Sequence, residues 1–71
     1  MEYTNSQIKA LISEHIHDEL DRQMLLWRLV DGYTFEAILD KVFDMDKIRT
    51  VKTVRTRIHK GEAILFKHIP G

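Results

Sequence analysis

Apolar residues recur at intervals of three and four along this 71-residue chain, and a period of two is sustained nowhere. That spacing lines one face of an α-helix and leaves a strand half-coated on both sides, so the expected class is all-α, a small four-helix domain. Ile8, Leu11, Ile12, His15 and Ile16 make the stripe of a first helix over about residues 5–17, opened by Thr4 or Asn5. Gln7 stands where it would complete a capping box with Thr4. A second helix, about 19–31, starts from Asp18 with Glu19 and Asp21 in its first turn, where the helix dipole favours anions. It carries Leu20, Met24, Leu25, Leu26, Trp27, Leu29 and Val30, and Gly32 lies just past its end. Thr34 caps a third helix, about 35–43, with Ile38, Leu39 and Val42 inward. Residues 44–49 are polar and contain neither Gly nor Pro, so no conformation is readable there. The fourth helix, about 51–68, starts from Thr50 unless Asp44 or Asp46 begins it earlier, and buries Val51, Val54, Ile58, Gly61 and Leu65.

Composition narrows the class further. With 44% hydrophobic residues, three Gly and one Pro, the chain has the apolar material for one core, and residues 1–71 read as a single domain. The absence of cysteine excludes disulfides and Cys-ligated metal, and fits a reducing cytoplasm. Apolar runs such as Met24-Leu25-Leu26-Trp27 are far too short to cross a bilayer. The expectation is a soluble, cytoplasmic protein without membrane contact.

A net charge of zero conceals a division along the chain. Residues 1–46 hold ten acidic and four basic side chains, whereas residues 47–71 hold seven basic ones (Lys47, Arg49, Lys52, Arg55, Arg57, Lys60 and Lys67) against Glu62 alone. A basic end on an otherwise acidic molecule points to a polyanion held at one defined patch. On a helical wheel Arg49, Lys52, Thr53, Thr56, Lys60 and Lys67 lie opposite the apolar stripe, with Arg55 and Arg57 at its edges. A helix of this width fits the major groove of B-DNA, and short hydroxyl side chains between cations permit close approach to base edges. Thr53 and Thr56, framed by Lys52, Arg55, Arg57 and Lys60, have that arrangement.

Two runs carry a resemblance. Gly32-Tyr33-Thr34-Phe35-Glu36-Ala37-Ile38 and Thr53-Val54-Arg55-Thr56-Arg57-Ile58-His59-Lys60-Gly61 resemble the helix-turn-helix of region four in bacterial sigma factors. The likeness is greatest to the extracytoplasmic-function type and to sigma-like regulators of phages and mobile elements. It covers roughly residues 21–66 and implies a helix-turn-helix in the C-terminal half, with residues 35–43 as support helix and 51–68 as recognition helix. The implied function is sequence-specific binding of double-stranded DNA in transcription regulation. By the resemblance Thr53, Arg55 and Thr56 would face bases, and Thr34, Arg57 and Lys60 the DNA backbone; the charge pattern adds Lys52 to the first set and Lys47 and Arg49 to the second. Residues 44–49 make the connection about five residues longer than in the family. Nothing in the 71 residues corresponds to the family's minus-ten-binding region, so the resemblance implies a stand-alone DNA-binding module.

Other constellations point less far. His15 and His17 are two apart on a helix and diverge, so they do not converge on a metal; His15 belongs to the core stripe and His17 to the surface. His59 beside Lys60 reads either as a phosphate contact or as a bystander. No nucleophile, paired carboxylates or Gly-rich phosphate loop is apparent, and the expectation is a protein without catalysis, small-molecule substrate, cofactor or metal. Met24 to Val30 carries more apolar surface than one buried face needs, and Ile64, Phe66 and Ile69 sit off the fourth helix's stripe. A homodimer, or contact with RNA polymerase, would cover them. The competing function is therefore a protein-interaction module that uses a sigma-like fold to bind polymerase or inhibit another protein, with Leu26, Phe66 and Ile69 as its contacts. RNA is a weaker partner, because the basic helix lacks stacking aromatics.

Overall fold

The structure, a computed structural model, describes residues 4–68. Helix α1 spans Asn5–His15, α2 Glu19–Leu29, α3 Phe35–Val42 and α4 Val51–Phe66, with a 3-10 turn at Met45–Lys47 between the last two. The all-α, four-helix expectation holds, and no strand occurs among the described residues.

Each helix starts where a short oxygen-bearing side chain can take an orphan amide. Thr4 Oγ1 accepts from the Gln7 amide while Gln7 Oε1 accepts from the Thr4 amide, which is the reciprocal box. Asp18 receives the Asp21 amide, Thr34 that of Ala37 and Thr50 that of Thr53. The α1, α2 and α4 ends fall two residues short of the sequence expectation and that of α3 one residue short. Ile16 leaves α1 in extended conformation and turns its side chain into the core. Its carbonyl and that of Ser13 accept from Arg22 of α2, so the exposed end of α1 is closed by a side chain of the next helix. Past α2, Gly32 takes φ 76, the left-handed geometry that reverses the chain towards Thr34.

One core joins all four helices: Ile12 and Ile16, Met24 and Leu25, Ile38 and Val42, then Val54, Ile58 and Leu65, with Ile48 of the connection inserted among them. At the α2–α4 crossing, Gly61 is buried; a Cβ there would stand 2.7 Å from a Leu25 methyl carbon. The glycine is therefore a requirement of contact rather than of backbone freedom. The apolar excess of α2 is partly absorbed within the chain. Leu26, Trp27 and Leu29 are half-buried against the core, and Lys41 Nζ lies 5.4 Å from the Trp27 ring centroid and 5.2 Å from that of Tyr33. Arg28 stacks on Phe35 at 4.4 Å and donates to the Tyr33 carbonyl at 3.0 Å, fixing α2 to the start of α3. Ile64 is half-buried, Phe66 stays 59% exposed, and Ile69 lies outside the described residues.

The connection, silent in the sequence, is held in an uncommon backbone shape. Asp44, Asp46 and Lys47 all have positive φ, at 65, 51 and 64. Aspartate tolerates this region better than most residues, and lysine does not. The segment closes on itself, the Asp44 amide donating to the Ile48 carbonyl at 2.7 Å and the Ile48 amide to the Met45 carbonyl at 2.9 Å. Full burial of Ile48 anchors it. Relief of about 1–2 kcal/mol of left-handed strain, less the extra entropy of a glycine in the unfolded chain, predicts that Lys47→Gly stabilises the protein by about 0.5–1 kcal/mol. An unchanged or lower urea midpoint would show that Lys47 carries no strain.

Candidate nucleic-acid interface

Because α4 buries Val54, Ile58, Gly61 and Leu65, its opposite face is turned to solvent over its whole length. Lys52, Thr56, His59 and Ala63 are exposed at spacings of four, three and four, which makes them the outermost row. Arg55 and Lys60 are exposed on either side of it. Among the described residues, none of Lys47, Lys52, Arg55 and Lys60 forms an ion pair. From Lys52 to Lys60 this surface extends about 12 Å along the helix, close to the width of the B-DNA major groove.

The residues expected to read or hold DNA divide into three groups. Lys52, Arg55, Thr56 and Lys60 stand together on the open face of α4, and Lys47 is exposed in the connection. Thr34, Arg49 and Thr53 have local work. Thr34 Oγ1 is occupied with the Ala37 amide at 3.1 Å, and Arg49 Nε donates to Asp44 Oδ1 at 3.0 Å in a pair whose members are both largely exposed. Thr53 is half-buried beside the α4 cap, its hydroxyl oxygen 3.0 Å from that of Thr50. Its position on the wheel put it on the open face, yet it lies on the shoulder nearer Arg57, and its hydroxyl points to the cap rather than outward.

Arg57 requires a correction. Expected on the DNA backbone, it lies instead against the protein's own carboxylates. Its Nε donates to Asp21 Oδ1 at 2.8 Å, Nη1 to Asp46 Oδ2 at 2.9 Å, and Nη2 lies 3.5 Å from Asp18 Oδ1. Only 21% of the side chain is exposed. Burial works against the guanidinium charge, but the hydrogen bonds and charges of Asp46 and Asp21 outweigh it and hold the pKa above the ordinary arginine value. The physical reason for the miss is range. Asp21 is 36 residues away and Asp46 is 11 away, so periodicity within α4 contains no trace of either.

His59 is the reverse case. It occupies the outermost row between Thr56 and Ala63, and its ring lies 6.0 Å from that of Phe35, over which Arg28 also stacks. Its sequence position beside Lys60 left it either a phosphate contact or a bystander, and its place seven residues beyond Lys52 puts it on the same line of the wheel. His15 sits half-buried with its ring stacked on His68 at 3.6 Å, and His17 is exposed. An open groove of about 300 Å³ runs beside the Arg57 cluster, floored by Ile16, Gly61 and Ile64 and rimmed by His15, His17 and Lys60.

Among the described residues, no helix is long and apolar enough to cross a membrane. Comparison of the chain with known protein families, with curated proteins and with solved structures finds no match.

Proposed function

We propose that this chain is a cytoplasmic, sequence-specific DNA-binding protein, a small transcriptional regulator of helix-turn-helix kind similar to region four of sigma factors. It places the open face of α4 in the major groove. The observation that carries this reading is the contrast between two sets of cations on one helix. Arg57 is neutralised by acids from elsewhere in the fold, while Lys52, Arg55 and Lys60 are left exposed and without an acidic partner among the described residues. A fold that used its basic residues only to balance its acidic half would have paired these as well. In the proposed complex Lys52, placed with the base-reading residues by its sequence position, stands at the start of α4 and joins Lys60 and Lys47 on phosphates, Arg55 takes a guanine edge bidentately, and Thr56 offers a hydroxyl and a methyl to the bases between. His59, in the same outermost row, joins this surface.

Arg55→Ala is expected to lower affinity for the specific site by about 1–3 kcal/mol, with a smaller loss on unrelated duplex, if the guanidinium reads a base. Competition binding with the two duplexes measures both. An equal loss on each would move Arg55 to a backbone role.

Phe66 supports the second reading, a module that grips RNA polymerase or another protein. It is 59% exposed at the far end of α4, where no DNA contact is proposed. Binding of that kind would be insensitive to the charge of Lys52 and Lys60 and would fall on Phe66→Ala.

A further inference from the structure

We propose that Arg57 is a positioning residue: it latches the strained connection and the start of α2 to α4, and so sets the pose in which the cationic face is presented. The latch itself stands on geometry alone. Its consequence for DNA rests on the function proposed above.

The guanidinium uses each of its three nitrogens on a different acid, and those acids come from two separate parts of the chain. Asp18 and Asp21 form the N-terminal turn of α2, where Asp18 also caps the helix by accepting the Asp21 amide. Asp46 belongs to the connection and holds φ 51 next to Lys47 at φ 64. Two adjacent left-handed residues without a glycine persist only where the surroundings over-determine them. Four restraints are visible: the buried Ile48 side chain, the short backbone bonds among residues 44, 45 and 48, the Arg49–Asp44 pair, and the Arg57–Asp46 contact. The last is the one that ties the connection directly to a side chain on α4. A planar fork can satisfy several carboxylates at once in fixed directions, which a lysine ammonium on a flexible stem does not reproduce.

Charge separates this role from a phosphate contact. Three carboxylates surround one guanidinium, so the cluster is net negative and repels a DNA phosphate rather than attracting it. The acids occupy Arg57 and leave Lys60, exposed at the rim of the adjoining groove, as the cation of that shoulder open to a duplex. The duplex is directed instead towards the line through Lys52, Thr56 and His59.

The test combines amide hydrogen exchange with salt-dependent binding, using Arg57→Met, which keeps side-chain length without charge, and Asp46→Asn, which loosens one arm and leaves Arg57 on α2. For both variants the amides of Asp44 and Ile48 are expected to exchange at least tenfold faster relative to core amides such as those of Ile12 and Leu25. For Arg57→Met, affinity for a duplex is expected to fall by a common factor at every salt concentration, leaving the slope of log affinity against log salt unchanged. A phosphate-contacting arginine would instead lower that slope by about 0.9 for Arg57→Met. That result, or unchanged relative exchange at Asp44 and Ile48, would overturn the latch. Should Arg57→Met fail to fold, Asp46→Asn decides by the relative exchange at Asp44 and Ile48. If the native protein binds no duplex, the DNA reading fails while the exchange measurement still judges the latch.

Discussion

Truncating Leu25 to alanine is expected to lower the free energy of unfolding by about 2–5 kcal/mol, the range for deleting a fully buried leucine. For a chain of this length, whose total stability is on the order of 4–11 kcal/mol, that is a large fraction, and at the low end of the range it brings the protein to its unfolding midpoint at room temperature. Leu25 has no exposed surface and lies where α2 crosses α4, against Gly61. Because that crossing holds the basic helix to the rest of the fold, the contact can be examined from both sides. Gly61→Ala gains about 1 kcal/mol of helix propensity but puts a methyl 2.7 Å from Leu25, so that the fully buried leucine branch must shift, at about 1–3 kcal/mol. Alone it is therefore expected to destabilise. In the Leu25→Ala background the methyl enters the space the leucine vacated, and the same substitution is expected to stabilise. Urea denaturation of the two single variants and the double variant measures this reversal of sign. Simple additivity would mean that the two residues are not in the contact described.

Removing Lys52 and Lys60 together is expected to weaken duplex binding about a hundredfold at 0.1 M salt, because each neutralised phosphate releases about 0.9 of a counterion. The slope of log affinity against log salt should fall by about 1.8 in magnitude. Both side chains are exposed and form no ion pair among the described residues, so Lys52→Ala/Lys60→Ala leaves the fold intact, and the midpoint of thermal unfolding checks this. A loss of affinity without a change in slope would mean that the two lysines do not meet phosphates. The comparison with Arg57→Met is then informative, since the three positions share one helix and differ in whether their charge is already satisfied.

What could be read from the sequence was what is decided within one or two helical turns. Thr4 with Gln7, Asp18, Thr34 and Thr50 cap their helices as their positions foretold, since a cap involves residues only three apart. The buried stripe of α4 was equally legible from its spacing, including Gly61, although the reason for glycine there became clear only with Leu25 against it. Residues 44–49 were not legible because their shape depends on left-handed aspartates and on a buried Ile48, neither of which follows a local period. Among the candidate DNA contacts, the wheel correctly put Lys52, Thr56 and Lys60 in solvent. It could not distinguish Arg55, exposed at one edge, from Arg57, drawn into acids at the other, since the acids belong to α2 and the connection.

The claim on which the functional account depends is that the open face of α4 meets a duplex. Titrating the native protein with double-stranded DNA between 50 and 200 mM salt tests it most directly. The account predicts a linear fall of log affinity with log salt, with a slope of about −3 to −4 for the phosphates that Lys47, Lys52, Lys60 and one further cation would neutralise. No measurable duplex affinity at the lowest salt, or an affinity that salt leaves unchanged, would contradict it.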